Sequence, residues 1–318
     1  MINIKKISVI IPVYNSTFTL IDLVKRLSKI QLHDRVLEVV LVNDGSENRE
    51  TSEICRNLAK EFLWVVFIDL SMNYGEHNAV MAGLNYCSGD CAVIMDDDGQ
   101  HSPEDLSLLL AELELGYDVV FTKYLEKKHS FLRNLGSIFN DRIATFILNK
   151  PKNLYLSSFK IINRFLINEI LKYKGGYPYI DGLILRVTKH YSVINVIHNE
   201  RTIGKSNYNF VKLFVVWMNM FLNFSIIPLR LVAYLGVLFV FLSFIGTIWV
   251  IILKINDPTL PLGWASLIII SLLLGSVQLI GIGVVGEYLG RLFMNSNRLP
   301  QFTVRASINV TKIIINND

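Results

Sequence analysis

Short, almost unbroken apolar runs alternate with stretches of helical periodicity over roughly the first 120 residues. Ile7-Ser8-Val9-Ile10-Ile11, Leu37-Glu38-Val39-Val40-Leu41-Val42, Trp64-Val65-Val66-Phe67-Ile68 and Cys91-Ala92-Val93-Ile94-Met95 are rich in β-branched residues and bounded by polar ones. They predict strands buried on both faces. Between them, residues 19–30, 51–62 and 76–86 place apolar side chains at helical spacing. The alternation predicts an α/β domain, Rossmann-like, with a mostly parallel sheet and helices on both faces. In such sheets ligands bind beyond the carboxyl ends of the strands. The polar segments Tyr14-Asn15, Asn43-Asp44-Gly45-Ser46 and Asp96-Asp97-Asp98 fall at those ends.

The pattern changes after Asn209. Residues 231–253 and about 262–286 are apolar and uncharged, and each reaches the ~20 residues that a helix needs to cross the hydrocarbon core. The short link between them contains Lys254, Asp257, Pro258 and Pro261, which predicts a hairpin. Arg230 precedes the first stretch, and Arg291 and Arg298 follow the second, so the positive-inside rule keeps both ends cytoplasmic. The competing reading is a pair of buried helices in a soluble core. Just upstream, Lys212, Asn219 and Asn223 share one face of an otherwise apolar segment closed by Pro228, which predicts an interfacial helix lying in the membrane plane. The expected organisation is a catalytic domain over 1–208, an interfacial amphipathic helix over 209–228, a transmembrane hairpin over 229–291 and a cytoplasmic tail over 292–318.

Composition supports that division. The chain of 318 residues is 52% hydrophobic with a mean hydropathy of +0.41, too apolar for a purely soluble enzyme. A formal net charge of +4 is too small and scattered for nucleic acid but suits an anionic membrane surface. Cys55, Cys87 and Cys91 lack metal-ligand spacing, so reduced cytosolic thiols are expected. Met1 to Lys6 lead straight into a strand without a signal-peptide core. The expected location is therefore the cytoplasmic (inner) membrane, multi-pass, with the catalytic domain facing the cytoplasm.

Met95-Asp96-Asp97-Asp98-Gly99-Gln100 carries the sharpest chemistry. Consecutive carboxylates at a strand end repel one another unless a cation neutralises them. Mg²⁺ and Mn²⁺ take oxygen ligands and commonly hold substrate phosphates. In an extended segment Asp96, Asp98 and Gln100 project to the same side, making them the candidate metal ligands. The plainer alternative is acid favouring a helix N-terminus, and Ser102-Pro103-Glu104-Asp105 does predict a helix start. That start leaves the triplet unexplained. Asn43-Asp44-Gly45-Ser46 taken alone is a turn.

Together, Ile11-Pro12-Val13-Tyr14-Asn15, Val42-Asn43-Asp44-Gly45-Ser46, Ser71-Met72-Asn73-Tyr74-Gly75 and the acidic loop resemble the ordered motifs of inverting GT-A glycosyltransferases. More narrowly the chain resembles the dolichol- and polyprenyl-phosphate glycosyltransferases. Arg201-Thr202-Ile203-Gly204-Lys205-Ser206-Asn207-Tyr208, Ser225-Ile226-Ile227-Pro228-Leu229-Arg230 and Gly286-Glu287-Tyr288-Leu289-Gly290-Arg291 carry that second likeness. It reaches to about Pro300 and leaves the tail unmatched. The resemblance implies transfer of a sugar from a nucleotide-sugar to a polyprenyl phosphate, undecaprenyl phosphate being the expected carrier, with inversion and a divalent metal (Mg²⁺ or Mn²⁺). It assigns Pro12, Tyr14, Asn15, Asp44, Asp96 and Asp97 to the nucleotide-sugar and Asp98 and Gln100 to the metal. Lys160, Arg201, Ser206 and Tyr208 fall to the acceptor or diphosphate, and Asp98 and Arg201 to catalysis.

Two positions depart from the family. An acid is usual where Ser16 stands, and Asp-Phe-Arg where Ser158-Phe159-Lys160 stand. Asp181, within the glycine-containing segment 175–182, reads as a flap residue or a solvated loop acid. A phosphate acceptor is already anionic, so positioning and stabilisation of the leaving diphosphate dominate, with Lys205 and Lys212 drawing in the lipid head. Rival readings are a transferase of the same fold acting on a lipid-linked saccharide or polymer, and a non-catalytic membrane partner of a flippase. The Gln-x-x-Arg-Trp pattern of processive synthases is absent. Gln278 within the second stretch suits a helix–helix contact in a homo-oligomer. A flippase or a downstream glycosyltransferase is the expected partner.

Overall fold

The computed structural model describes residues 4–32, 34–124, 150–151, 154–196, 227–256, 263–296 and 300–310. These form two compact units, residues 1–213 with 298–318, and residues 214–297.

The first unit is built on one eight-stranded sheet among the described residues. Its strands are β1 (Lys6–Val13), β2 (Val36–Asn43), β3 (Val65–Leu70), β4 (Cys91–Ile94), β5 (Val119–Tyr124), β6 (Lys160–Asn163), β7 (Tyr191–Val196) and β8 (Val304–Ile308), in the spatial order β7-β5-β6-β4-β1-β2-β3-β8. β4, β1, β2 and β3 pair in parallel, as the unbroken apolar runs predicted. β6 runs antiparallel to β4 and β5, and β8 runs antiparallel along the β3 edge. All six positions of β3 and all four of β4 are buried. Solvated half-faces are excluded by that pattern.

Helices α1 (Phe18–Leu27), α2 (Arg49–Glu61), α3 (Glu76–Tyr86) and α4 (Leu106–Glu114) connect the parallel strands. Leu20, Leu23, Leu58, Leu109 and Leu113 pack with Val9, Leu41, Phe67 and Val93 in one core. Ala79, Gly83 and Leu84 of α3 are buried as well. A Cβ on Gly83 would fall 2.3 Å from Ile10 Cγ2, so the close approach of α3 to β1 requires glycine there. Pro103–Asp105 form a short 3₁₀ turn leading into α4, the helix start that Ser-Pro-Glu-Asp predicted. Two further helices, α5 (Arg164–Ile170) and α6 (Ile180–Val187), follow β6. The three thiols are free and buried, as expected of reduced cysteines, and burial raises each.

The tail, which matches no family motif, supplies β8. Its pairing covers the open edge of β3, which would otherwise present unpaired backbone groups. Asn309 adds a clasp by donating to Val65 O at 2.9 Å.

The second unit contains α7 (Ile227–Asn256, 30 residues) and α8 (Trp264–Ser296, 33 residues). At Gly281 a Cβ would lie 3.0 Å from Val232 Cγ1. Side-chain bulk at that point would therefore hold the helices apart. Several positions inside both helices lie outside the described residues. Over those that are described, no helix is long and apolar enough to cross a membrane. The expected interfacial helix over 209–228 lies almost wholly outside the described residues.

Candidate active site

The acidic loop leaves the carboxyl end of β4, beside those of β1 and β2. Backbone N–H of Met95 donates to Ile10 O at 3.0 Å, extending the β1 register to the last residue before the acids. Asp96 is held at both its main chain and its side chain. Its N–H donates to His101 Nδ1 at 3.1 Å, and its Oδ2 accepts from Ser158 Oγ at 2.6 Å. Because Nδ1 accepts, the imidazole proton sits on Nε2, which faces Asp96 Oδ2 at 3.6 Å and Ser158 Oγ at 3.4 Å. His101 is buried and stacks on Phe159, ring centres 4.9 Å apart. The loop is thereby clipped at both ends to β6 and its approach.

Asp97 accepts the Tyr14 N–H at 3.3 Å. Burial, reinforced by Asp96 and Asp98, pushes its carboxyl up to about 7 against that bond and one from its own backbone. Asp98 Oδ1 accepts the Gln100 N–H at 3.1 Å, folding the ligand candidates into one tight turn. Glu76, the first residue of α3, belongs to the same field. The protein packed around its carboxyl, with Asp96 the next influence, pushes it up to about 7 despite Lys160 and although the residue has solvent access. Burial lowers its neighbour His77 to about 4, leaving a neutral imidazole edge-on to Tyr179.

Asp44 is buried, and both of its oxygens are used: Tyr74 N–H at 2.8 Å and Gly75 N–H at 2.9 Å. Burial raises its carboxyl, and the two amides oppose that rise. Its described bonds thus tie the β2 turn to the Ser71–Gly75 segment. Gly45 makes the tie possible, since a Cβ there would fall 2.2 Å from the Met72 carbonyl carbon. Asn15, at φ 55°, donates its N–H to Ser46 Oγ at 3.0 Å and accepts from Asn48 N–H at 3.2 Å. It bridges two strand-end loops. Tyr14 is exposed and Pro12 half-buried, so both present surface to a ligand between those loops.

The acidic loop is compatible with a divalent cation. Oxygen donors of Asp98 and Gln100 are the hard type that Mg²⁺ and Mn²⁺ accept, and Asp96, Asp97 and Asp98 bring three carboxylates into one turn. Among the described residues no group of three or more His, Cys, Asp or Glu is arranged to hold a metal by itself.

Lys160 does not stand free to meet a phosphate. It is buried against Asp181 as an ion pair and lies over the Phe121 ring at 5.7 Å. Asp181 is correspondingly not a solvated loop acid: it opens α6 and is buried. Ser158, at the position where the family carries an acid, donates to Asp96, and a carboxylate there would face another carboxylate. Ser16 Oγ pairs with Thr19 Oγ1 at 2.9 Å at the start of α1. Arg201, Ser206 and Tyr208, with Lys205 and Lys212, lie outside the described residues. Sequence reading missed His101 and Glu76. One was hidden in a helix-start motif, and the other sat where an acid is ordinary helix capping.

Residues 8–171 match the description of Glycosyl transferase family 2. The chain belongs to that family. It is a glycosyltransferase, and the GT-A resemblance read from its motifs holds. Similar proteins span nearly its whole length. An undecaprenyl-phosphate 4-deoxy-4-formamido-L-arabinose transferase of Proteus mirabilis is 29% identical over 315 residues, covering 97% of this chain and 96% of that protein. An uncharacterised glycosyltransferase of Bacillus subtilis, YkcC, is 28% identical over 305 residues, covering 95% and 94%. Among solved structures, glucosyl-3-phosphoglycerate synthase of Mycobacterium tuberculosis in complex with Mn²⁺, UDP and phosphoglyceric acid shares the fold. Its TM-score is 0.52 at 17% identity, covering 69% of this chain and 76% of that one.

Proposed function

We propose that this glycosyltransferase moves a sugar from a nucleotide-sugar onto a polyprenyl phosphate, with undecaprenyl phosphate as the carrier and inversion at the anomeric carbon. The observation that carries the reading is the acidic loop at the end of β4, beside the strand-end loops of β1 and β2. Full-length similarity to a protein named as an undecaprenyl-phosphate transferase supplies the acceptor class.

In this reading Tyr14, Pro12 and Asn15 line the nucleotide, and Asp44 holds the Ser71–Gly75 wall. Asp98 and Gln100, with Asp96 fixed behind them, hold a divalent cation whose chemistry is Lewis-acid stabilisation of the leaving diphosphate. The chain's own task is orientation. The clip made by His101 and Ser158 fixes the acids before substrate arrives, so little reorganisation is needed at the moment of transfer. The acceptor phosphate is already an anion and attacks in line without a general base. Arg201, Ser206 and Tyr208 are the proposed phosphate contacts.

We further propose that α7 and α8 cross the cytoplasmic membrane as a hairpin, with the catalytic unit in the cytoplasm. Phe241, Phe244 and Trp249 of α7 and Leu279, Ile280 and Ile282 of α8 are exposed. Exposed apolar side chains in such numbers call for an apolar surrounding, and both helices exceed the ~20 residues of a span. The same surface supports self-association, or contact with a flippase.

The test uses full-length protein purified in detergent, undecaprenyl phosphate and a panel of labelled UDP-, GDP- and dTDP-sugars, with and without EDTA. Label should enter the organic phase with one donor, stop with EDTA and be lost in Asp98→Ala. Label appearing on a saccharide acceptor instead, or no label entering the organic phase with any donor, defeats the proposal.

A further inference from the structure

A cavity of about 430 Å³ opens between α2, the end of β3 and β8, and it contains three arginines: Arg49, Arg56 and Arg305. Two of them are already placed. The Arg305 guanidinium donates to Ser71 O at 2.7 Å, and Arg56 lies over the Phe67 ring at 5.9 Å. Stacking of that kind fixes a guanidinium without using its N–H donors. Glu53 and Asp69 share the lining, but no ion pair joins either to the arginines within 4.0 Å. Asp69 instead accepts from Asn43 Nδ2 at 2.7 Å. The hydroxyls of Ser46, Ser52 and Ser71 complete a polar wall.

Three guanidinium cations against two carboxylates that do not pair with them leave the lining net positive, and an anion fits that excess. Arginine forks match phosphate oxygens in geometry as well as charge. We propose that this cavity is a second anion site, separate from the acidic loop, and that it takes a phosphate-bearing ligand. The ligand is either a free phosphate or diphosphate or the headgroup of an anionic phospholipid; the chemistry recognised is the same. The acidic loop concentrates negative charge and needs a cation to accept phosphate. Here the protein's own cations suffice. The site is also wired to the nucleotide side, because Ser71 begins the segment whose Tyr74 and Gly75 amides rest on Asp44.

The full-length protein in phosphatidylcholine nanodiscs is examined by hydrogen–deuterium exchange, with EDTA present so that no metal can hold phosphate at the acidic loop. Inorganic pyrophosphate tests the free source, and replacing part of the phosphatidylcholine with phosphatidylglycerol tests the lipid source. One of the two should slow exchange in α2 and β8. The effect should weaken roughly tenfold in midpoint for each charge removed in Arg56→Gln and Arg305→Gln, and it should fade with added salt. Arg49→Gln, at an exposed position on the first residue of α2, should weaken the effect likewise and guards against loss through misfolding. The proposal is overturned if neither probe protects these segments. Equal protection in the variants, or protection confined to residues 96–100, overturns it too. Because the readout is binding without metal or donor, its failure leaves the proposed transfer reaction standing, and failure of transfer leaves this site standing.

Discussion

His101 accepts the backbone N–H of Asp96 at 3.1 Å while its other nitrogen faces the same residue's carboxylate at 3.6 Å. One imidazole thus fixes both the main chain and the side chain at the start of the acidic loop. His101→Ala leaves a half-buried N–H without its partner, a loss of about 1–3 kcal/mol, and removes the stack on Phe159, worth about 0.5–1.5 kcal/mol. The expected outcome is a lower melting temperature together with a raised divalent-metal requirement for sugar transfer. His101→Asn retains an acceptor close to Nδ1 and should recover part of both. Unchanged metal dependence in the alanine variant would show that the clip is packing alone.

Asp97 and Glu76 both sit at about 7 in the folded protein, above the ordinary carboxylate range. Each is raised relative to the unfolded chain, so the stability it contributes is full below about pH 4 and is lost as the pH rises through 7. A cation bound at the acidic loop favours the ionised forms and opposes that loss. Melting of the metal-free protein should therefore fall between pH 5 and pH 8, and the increase on adding Mn²⁺ should be larger at pH 8. An Mn²⁺ effect that is flat across this range removes the electrostatic link between these acids and the metal.

The central strands and the acidic loop were legible because their signals are local. Runs such as Val39-Val40-Leu41-Val42 admit few structures, and adjacent carboxylates demand a cation wherever they fold. The pairing of Lys160 was hidden for the opposite reason. Its partner Asp181 lies 21 residues away, and nothing in spacing reveals that the start of α6 delivers a carboxylate to β6. The tail strand shows the same limit. Val-Arg-Ala-Ser-Ile alternates weakly, and only the open edge of β3, more than 230 residues earlier, makes it a strand.

Glu38 provides a control away from the acidic loop. It is buried and accepts from Ser8 Oγ at 2.6 Å and Ser88 N–H at 2.8 Å, with Lys6 Nζ at 2.9 Å. Burial pushes its carboxyl up, yet the hydrogen bonds of Ser8 and Ser88 together with Lys6 carry it below its ordinary value. Its stabilisation is present above the unfolded value and disappears as the pH drops through the folded one. Glu38→Gln should cost about 1.5–3 kcal/mol at neutral pH, and the gap from wild type should close as the pH falls below the ordinary carboxylate range. Denaturant titrations at several pH values would register a gap that stays constant, contrary to this account.

The buried pair of Lys160 and Asp181 decides whether this chain's departure from Asp-Phe-Arg is structural or catalytic. Both side chains are buried, so removing one leaves an uncompensated charge at a cost of about 3–5 kcal/mol, whereas replacing both with apolar groups is often neutral. Lys160→Met should therefore lower stability sharply, and Lys160→Met combined with Asp181→Leu should restore it. Sugar transfer then separates the roles. If the lysine only neutralises Asp181, activity returns with stability in the double variant. If it also meets a phosphate, the double variant stays folded with transfer still depressed and the acceptor KM raised. The ion pair and the cation–π contact with Phe121 satisfy the ammonium within the protein, so the first outcome is the expected one. A stable but inactive double variant would return Lys160 to the acceptor site.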